Sequence, residues 1–223
     1  PEHAAQFCDP ARPTSFIIGV GAHRRWEIML NPGEDPRHME QPAQVWSLLS
    51  RWLTPDDATL WRAASYRFHA LVADRWHDRR VFIAGDAAHQ QPPFLGQGMC
   101  QGLRDAANLV WKLAAVRDGA DPALLDSYAT ERRAHVSTLT ERIKGIGRMI
   151  CERDVTAARA RDETLLASNG GVAPTVLRQD LVPPLADGFF AAQDHPMRGR
   201  IFPQPRLSDG QLMDAQYGTG WRI

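Results

Sequence analysis

One stretch near the middle of the chain constrains the fold more than any other. Residues 80–113 read RVFIAGDAAHQQPPFLGQGMCQGLRDAANLVWKL. A short apolar run ends at Gly85 and Asp86, a segment rich in proline and glycine follows, and a long helical pattern then begins. This order predicts a buried β-strand joined by a loop to an α-helix, as in α/β folds.

The loop has the chemistry of a binding site. Gly85 has no Cβ, so a ligand or a second backbone can approach it closely, and the Asp86 carboxylate can accept hydrogen bonds from hydroxyl groups. Pro93 stiffens the loop, while Gly96 and Gly98 leave backbone N–H groups uncovered at the start of the helix, where they favour an anionic oxygen. The pattern predicts a site for a molecule with hydroxyls and electron-rich oxygens. An ordinary strand–helix turn has the same spacing.

Composition narrows the class of partner. The 223 residues include 26 basic and 26 acidic side chains, so no net field favours nucleic acid. No run approaches the roughly 20 apolar residues that span a bilayer, so we expect no membrane partner. Three widely spaced cysteines without a CxxC pair favour a reducing compartment and no metal site. We therefore expect a cytoplasmic protein without a bound metal.

Other patterns predict the elements around this loop. Alternating apolar residues predict a hairpin over residues 15–30 and a strand over residues 63–73. Helical spacing predicts helices over residues 44–53 and 121–153, the second one capped by an aspartate and a proline. Thr54, followed by proline and aspartate, is typical of a further helix start.

The helix after the glycines carries an apolar stripe. Apolar side chains recur three and four residues apart, and polar ones lie between them. We expect the apolar set to face the core, namely Met99, Leu103, Ala106, Val110 and Leu113. We expect the polar set to lie off that stripe, namely Gln101, Asp105, Asn108 and Lys112. Asp105 could pair with neighbouring backbone or with Arg104, but a solvated charge on the helix surface is the simplest account.

Residues 80–113 resemble the second FAD-binding motif of the flavin-dependent aromatic hydroxylases, the group typified by p-hydroxybenzoate hydroxylase. PPFLGQGM, GLRDAANLVWKL and the later LLDSYATERRAHV are most similar to the 3-(3-hydroxyphenyl)propionate hydroxylase branch. YRFHALVADRW and the final FPQPRLSDGQLMDAQYGTGWRI extend the resemblance over most of the chain.

The resemblance implies an α/β (α+β) fold of the p-hydroxybenzoate hydroxylase type. Residues 1–75 would be the end of a substrate-binding sheet with its helices, and residues 76–120 the last strand and helix of the FAD-binding domain. A helical segment would occupy residues 121–195, and residues 196–223 would begin a thioredoxin-like C-terminal domain.

The resemblance also implies roles for individual residues. Asp86 would bind hydroxyls of the FAD ribityl or ribose. Pro93 would lie beside the flavin ring with its backbone carbonyl facing the substrate side, which makes it a catalytic candidate. The start of the helix would meet the pyrimidine edge of the flavin, although many relatives have Asn at the position of Cys100. His89 is a candidate general base, but a residue that shapes the turn is the favoured interpretation. The implied cofactor-binding set is Gly85, Asp86, Pro93, Gly96, Gly98, Met99 and Cys100.

The function implied by the resemblance is an FAD-dependent monooxygenase. It would use NADH or NADPH and O2 to hydroxylate a small phenolic aromatic acid ortho to its hydroxyl group. The family's N-terminal GxGxxG is absent, so we expect the chain to be the C-terminal part of a longer polypeptide and inactive by itself. Alternatives are a hydroxylase of a polyketide or antibiotic aromatic and a non-catalytic fragment that acts through its helices. Whether it forms a homo-oligomer stays open.

Overall fold

A computed structural model describes residues 3–172, 175–176, 178–190, 193–201 and 203–218. Its strands are β1 (Ala5–Phe7), β2 (Thr14–Ile18), β3 (Arg24–Ile28), β4 (Leu71–Val72), β5 (His77–Asp78), β6 (Val81–Phe82) and β7 (His89–Gln90). Its α-helices are α1 (Pro36–Met39), α2 (Pro42–Leu49), α3 (Gly98–Arg117), α4 (Asp126–Ile150), α5 (Val155–Ser168) and α6 (Met213–Tyr217). Short 3-10 turns cover Gly85–Ala87, Pro93–Leu95, Pro122–Leu125 and Arg178–Leu181.

The N-terminal strands form a three-stranded antiparallel sheet in the order β1-β2-β3. Phe16 on β2 pairs with Trp26 on β3, and their rings lie 5.0 Å apart. Phe16 is buried because its face of the sheet carries the apolar side chains of the alternating pattern. The predicted hairpin is confirmed.

Two predictions for the segment that follows are wrong. No helix begins at Thr54; instead the Asp57 carboxylate accepts hydrogen bonds from the Thr54 N–H and hydroxyl, both at 2.8 Å, and closes an isolated turn. The capping residues are present without an apolar periodicity behind them, so no tertiary packing extends the turn into a helix. The strand predicted for residues 63–73 is limited to β4, because Tyr66 and Phe68 are exposed and have no strand beside them among the described residues.

The core lies where α4 packs against the short strands and α3. Tyr128, Val136, Leu139 and Ile143 of α4 are fully buried, and the Tyr128 hydroxyl donates to the Ile83 carbonyl oxygen at 2.9 Å. Asp121 caps the preceding 3-10 turn by accepting from the Ala123 N–H. The long helix predicted over residues 121–153 is confirmed, with a 3-10 first turn and an end at Ile150.

The face predicted for α3 is wrong. The apolar residues Met99, Leu103 and Val110 are 77%, 62% and 62% exposed, whereas Asp105 and Lys112 are 0% exposed. Gln101 is buried as well, so the polar set faces the core and the apolar set faces outwards. The reason is that the polar side chains bind charged partners on α4. These contacts offset the free-energy cost of removing the polar groups from water. Asp105 is therefore not the solvated surface charge that the sequence indicates.

The C-terminal residues that the structure describes carry little regular structure. An antiparallel bridge joins Arg206 to Leu212, and α6 follows it. The division of the chain into four segments, including a thioredoxin-like start at residue 196, stays a prediction, and its last residues, 219–223, lie outside the described part. No helix in the described residues is long and apolar enough to cross a membrane.

Candidate functional site

The site begins at the turn that follows β6. Gly85 has φ +57°, and a Cβ added there would meet the Cα of Gly102 on α3 at 3.7 Å. The 3-10 turn Gly85–Ala87 then leads into β7, which pairs with β4 through Val72 and His89. Glycine is needed at residue 85 because the positive φ disfavours other residues. The turn is thereby pressed against α3.

Asp86 projects outwards from this turn. Its side chain is exposed and lines an open cleft, and its carboxylate has no hydrogen-bond partner within the described part of the chain. An exposed carboxylate with four free lone-pair sites can accept hydrogen bonds from several hydroxyl groups of one ligand.

The opposite wall of the cleft is the start of α3. Gly96 has φ +58° and ends the turn Pro93–Leu95. The first hydrogen bond of α3 runs from the Gln101 N–H to the Gln97 carbonyl oxygen at 2.9 Å. Consequently, the N–H groups of residues 98–100 have no acceptor among the described residues. A Cβ on Gly98 would meet nothing within 4 Å, so this end of the helix is open to a ligand.

The cleft has a volume of ≈ 420 Å³ and brings most of the predicted cofactor residues together. Five of them line it, whereas Gly85 lies in the turn behind Asp86 and Cys100 is half-buried in the first turn of α3. The lining residues are Phe68, His69, Asp86, Gln90, Gln91, Pro92, Pro93, Gly96, Gly98 and Met99.

His89 lies inside the protein next to this turn. It is 2% exposed, its Nε2 lies 2.7 Å from Asp105 Oδ2, and its ring stacks on Trp76 at a centroid distance of 5.5 Å. A ring held between a carboxylate and an indole has little freedom to approach a substrate. These contacts favour the interpretation that His89 shapes the turn.

Asp105 is the centre of a buried polar network that the sequence interpretation missed. Its Oδ2 accepts the Gly85 N–H at 3.0 Å as well as contacting His89, and its Oδ1 accepts from Arg132 Nε at 2.8 Å. Burial by itself raises the pKa of Asp105, but the hydrogen bonds from His89, Arg132 and Gly85 outweigh burial and lower it. Asp105 is therefore a buried, fully engaged carboxylate.

The same network continues along α4. Arg132 Nη2 donates to Gln101 Oε1 at 2.6 Å, and Arg132 Nη1 lies 3.0 Å from His135 Nδ1. His135 Nε2 lies 2.9 Å from the Pro183 carbonyl oxygen, which fixes the donor on that nitrogen. Burial, together with the charge of Arg132, lowers the pKa of His135 to about 4. His135 is thus neutral at ordinary pH.

A second buried pair lies further along the two helices. Lys112 Nζ contacts Glu131 Oε2 at 2.7 Å, and Asn108 Nδ2 donates to the same oxygen at 2.6 Å. Burial lowers the pKa of Lys112, and the hydrogen bond with Glu131 partly opposes that effect. A signal for both networks was present in the sequence. Four polar residues recur on α3 at intervals of four, three and four, which is itself a helical stripe: Gln101, Asp105, Asn108 and Lys112.

The donors around the cleft define what it can hold. Among the described residues, no group of three or more His, Cys, Asp or Glu side chains is arranged to bind a metal ion. The cleft instead combines a free carboxylate, free helix N–H groups and the apolar surfaces of Phe68, Pro93 and Met99. This set suits a ligand with hydroxyls at one end and a flat ring with oxygen acceptors at the other.

Comparison with known proteins adds independent information. The family model described as FAD binding domain matches residues 22–143, which contain the cleft and the residues of both buried networks on α3 and α4. The chain is 40% identical to a probable NADH-specific resorcinol 4-hydroxylase of Rhodococcus jostii (strain RHA1), over 98% of the chain and 40% of that protein. It is 36% identical to a 3-(3-hydroxy-phenyl)propionate/3-hydroxycinnamic acid hydroxylase of Mycobacterium sp. (strain KMS), over 96% of the chain and 40% of that protein.

A solved structure is similar as well. The crystal structure of p-nitrophenol 4-monooxygenase from Pseudomonas putida DLL-E4 superposes with a TM-score of 0.60 and 27% identity, over 71% of this chain and 42% of that one. The chain spans about two fifths of the length of the curated relatives it matches.

Proposed function

The chain belongs to the FAD binding domain family, and from that membership we propose that its cleft binds FAD as part of a flavin-dependent aromatic hydroxylase. The observation that carries the proposal is the cleft itself. An unpartnered carboxylate at Asp86 faces the same space as the free N–H groups of the first turn of α3. FAD has hydroxyls on its ribityl and ribose and carbonyl oxygens on its ring, so the residues present fit it.

The fold agrees with this family. The predicted resemblance to the p-hydroxybenzoate hydroxylase group and the α/β (α+β) fold of that type are both confirmed by the family match and by the similarity to p-nitrophenol 4-monooxygenase. The chain's share of its relatives' length means that the activity of the whole protein stays a proposal.

Each wall of the cleft has a proposed task. Asp86 would accept hydrogen bonds from the cofactor's hydroxyls, and Gly96 and Gly98 would let the ring approach the backbone closely. The N–H groups of Gly98, Met99 and Cys100 would stabilise negative charge on a ring oxygen through hydrogen bonds and the helix dipole. When bound, FAD would supply the exchange of electrons with NADH or NADPH and the activation of O2.

Aromatic side chains would keep water away from that chemistry. Phe68 lines the cleft, and its ring meets Phe94 edge-to-face at 5.5 Å. Pro93, which precedes Phe94 in the sequence, lines the cleft too. An apolar wall at this position excludes water from a reactive ring and offers an aromatic substrate a surface to pack on.

The proposed substrate is a small phenol with a second substituent meta to its hydroxyl. Resorcinol and 3-(3-hydroxyphenyl)propionate, which the names of the two curated relatives specify, share this pattern. Position 4 of resorcinol is ortho to a hydroxyl, in agreement with the ortho hydroxylation expected from the sequence. NADH is the proposed reductant, because the relative with 40% identity is described as NADH-specific.

Turnover by the full-length protein tests this function. We expect purified protein to carry FAD, to oxidise NADH faster with resorcinol or 3-(3-hydroxyphenyl)propionate than without a phenol, and to release a product heavier by one oxygen atom. A large polyketide aromatic that is hydroxylated in preference to both phenols would support the second kind of hydroxylase instead. A full-length protein that retains no flavin would favour the non-catalytic interpretation.

The site itself is tested by removing the Asp86 carboxylate. We expect Asp86→Ala to weaken FAD binding by about 1–3 kcal/mol, as losing a charged hydrogen-bond partner should. The measurement is the Kd of the apoprotein for FAD, from quenching of flavin fluorescence. Asp118→Ala removes an exposed carboxylate at the other end of α3 and is the matched control. An unchanged Kd for Asp86→Ala would remove Asp86 from the cofactor site.

A further inference from the structure

We propose that Asp105 is a positioning residue that holds Asp86 in its cofactor-binding orientation. This inference rests on the proposed function, because it concerns how the chain presents its FAD-binding carboxylate. Asp105 lies in the core and touches no part of the cleft. It would therefore act on the ligand only through the turn that carries Asp86.

Asp105 contacts the chain on either side of Asp86. One oxygen, Asp105 Oδ2, accepts the N–H of Gly85 at 3.0 Å and lies 2.7 Å from Nε2 of His89. Gly85 immediately precedes Asp86, and His89 follows it by three residues. A single carboxylate oxygen thus binds both ends of the turn from which Asp86 projects.

The Asp105 carboxylate is itself held in place. Its other oxygen accepts from Arg132 Nε at 2.8 Å, and Arg132 is held in turn by Gln101 and His135. Asp105 and Arg132 are 0% and 2% exposed, so water does not compete for these bonds. The turn is tied to both long helices at one point.

Helix α3 links the two walls of the cleft. Asp105 stands on α3, seven residues after Gly98, and so about two helical turns from the free N–H groups. Gly85 packs on Gly102 of the same helix. Because α3 is a rigid helix, holding the turn on Asp105 also sets the distance between the Asp86 carboxylate and those N–H groups. Both walls would then meet one ligand together.

The charge of Asp105 is essential to this geometry. Every neighbour that the structure gives to the carboxylate is a donor: the Gly85 N–H, His89 Nε2 and Arg132 Nε. An amide in its place has one acceptor oxygen and one NH2 group. In Asp105→Asn the NH2 group must therefore face at least one of the N–H donors that the carboxylate binds. We expect the turn to lose an anchor while the side-chain volume stays nearly the same.

A double-mutant cycle in the full-length protein tests the inference. The FAD Kd of the apoprotein is measured for the wild type, Asp105→Asn, Asp86→Ala and the double variant. We expect Asp105→Asn to weaken FAD binding about tenfold in the wild-type background and less than about twofold once Asp86 is gone. Residues that share a backbone segment couple, and a positioning residue needs the group that it positions. A role confined to stability would weaken binding by the same factor in both backgrounds.

Lys112→Met is the matched control. It breaks a buried ion pair of the same helix interface about two helical turns beyond Asp105, with no bond to the turn that carries Asp86, and we expect an equal, small effect on FAD binding in both backgrounds. Should Asp105→Asn fail to fold, His89→Ala takes its place in the cycle, because it removes the anchor on the far side of Asp86 while the bonds of Asp105 to Gly85 and Arg132 stay.

The outcomes separate the two proposals. Equal effects of Asp105→Asn with and without Asp86, or an unchanged Kd for Asp105→Asn, overturn the positioning role while leaving Asp86 as a cofactor ligand. An unchanged Kd for Asp86→Ala overturns the FAD site and the positioning role together.

Discussion

Two glycines of α4 have different surroundings although they are two residues apart. A Cβ added at Gly147 would overlap the Phe94 ring, with Cδ2 at 2.9 Å, whereas one added at Gly145 would meet only the Arg148 guanidinium at 3.9 Å. Gly147 therefore permits the close approach of α4 to the turn that lines the cleft. Nothing packed against Gly145 requires glycine there.

This difference predicts opposite effects of alanine. Gly147→Ala should destabilise the chain by about 1–3 kcal/mol, as overpacking of a well-filled contact does. Gly145→Ala should stabilise it by about 0.5–1 kcal/mol, because glycine inside a helix loses more backbone entropy on folding than alanine. Urea unfolding of the two variants measures both, and a stabilising Gly147→Ala would contradict the packing described for Phe94.

At the scale of elements, α3 buries its polar stripe. We therefore expect the exposed apolar face of α3 to contribute little to the free energy of unfolding. Leu103→Ser should change the free energy of unfolding by less than about 0.5 kcal/mol, as exposed substitutions usually do. Leu139→Ala on α4, where the side chain is 0% exposed, should cost about 2–5 kcal/mol. Thermal unfolding of both variants decides whether the two faces are oriented as described.

The orientation of α3 also shows where prediction from sequence ends. The existence of α3 and α4, the turn at Gly85 and five of the ten residues that line the cleft follow from spacing, turn chemistry and family resemblance. The face of α3 does not, because hydrophobicity alone places Leu103 inside and Asp105 outside. Burial of Asp105 becomes favourable only when Arg132, 27 residues further on, docks against it. The contact between Asp105 and Arg132 is a tertiary contact, and the local sequence pattern of α3 does not predict it.

At the scale of the whole molecule, two groups of the described chain with large downward pKa shifts make folding stability fall in acid. The folded pKa of His135 is lowered to about 4 by burial and by Arg132, with Arg104 adding to this, and Asp105 and the Pro183 carbonyl opposing it. Hydrogen bonds from Arg12 lower the pKa of Glu34 to about 2. In both cases the unfolded chain binds a proton at a higher pH than the folded chain does, so acid favours unfolding.

The two pH windows follow one another and overlap only between about pH 4.5 and 4. Stability should fall by up to about 3 kcal/mol as the pH drops from 6.5 to 4, because His135 takes up a proton on unfolding. A further loss should follow as the pH falls from 4.5 towards 2, where the bond between Glu34 and Arg12 is lost. Urea midpoints measured across this range test the windows. His135→Gln should flatten the upper window, and the exposed His38→Gln should leave it unchanged.

The contacts of Asp105 also bear on how the chain acquires its structure in time. They join it to residues 16, 20 and 27 positions away. Two nested loops before Asp105 and one loop after it must therefore close before the turn at Asp86 is held. Because closing such loops costs entropy, we expect these contacts to form after the local contacts within α3 and α4. We therefore expect FAD to leave the refolding rate unchanged and to slow unfolding, as stopped-flow measurements with and without the cofactor would reveal. A cofactor that binds only after the folding nucleus has formed lowers the rate of unfolding and leaves the rate of folding unchanged.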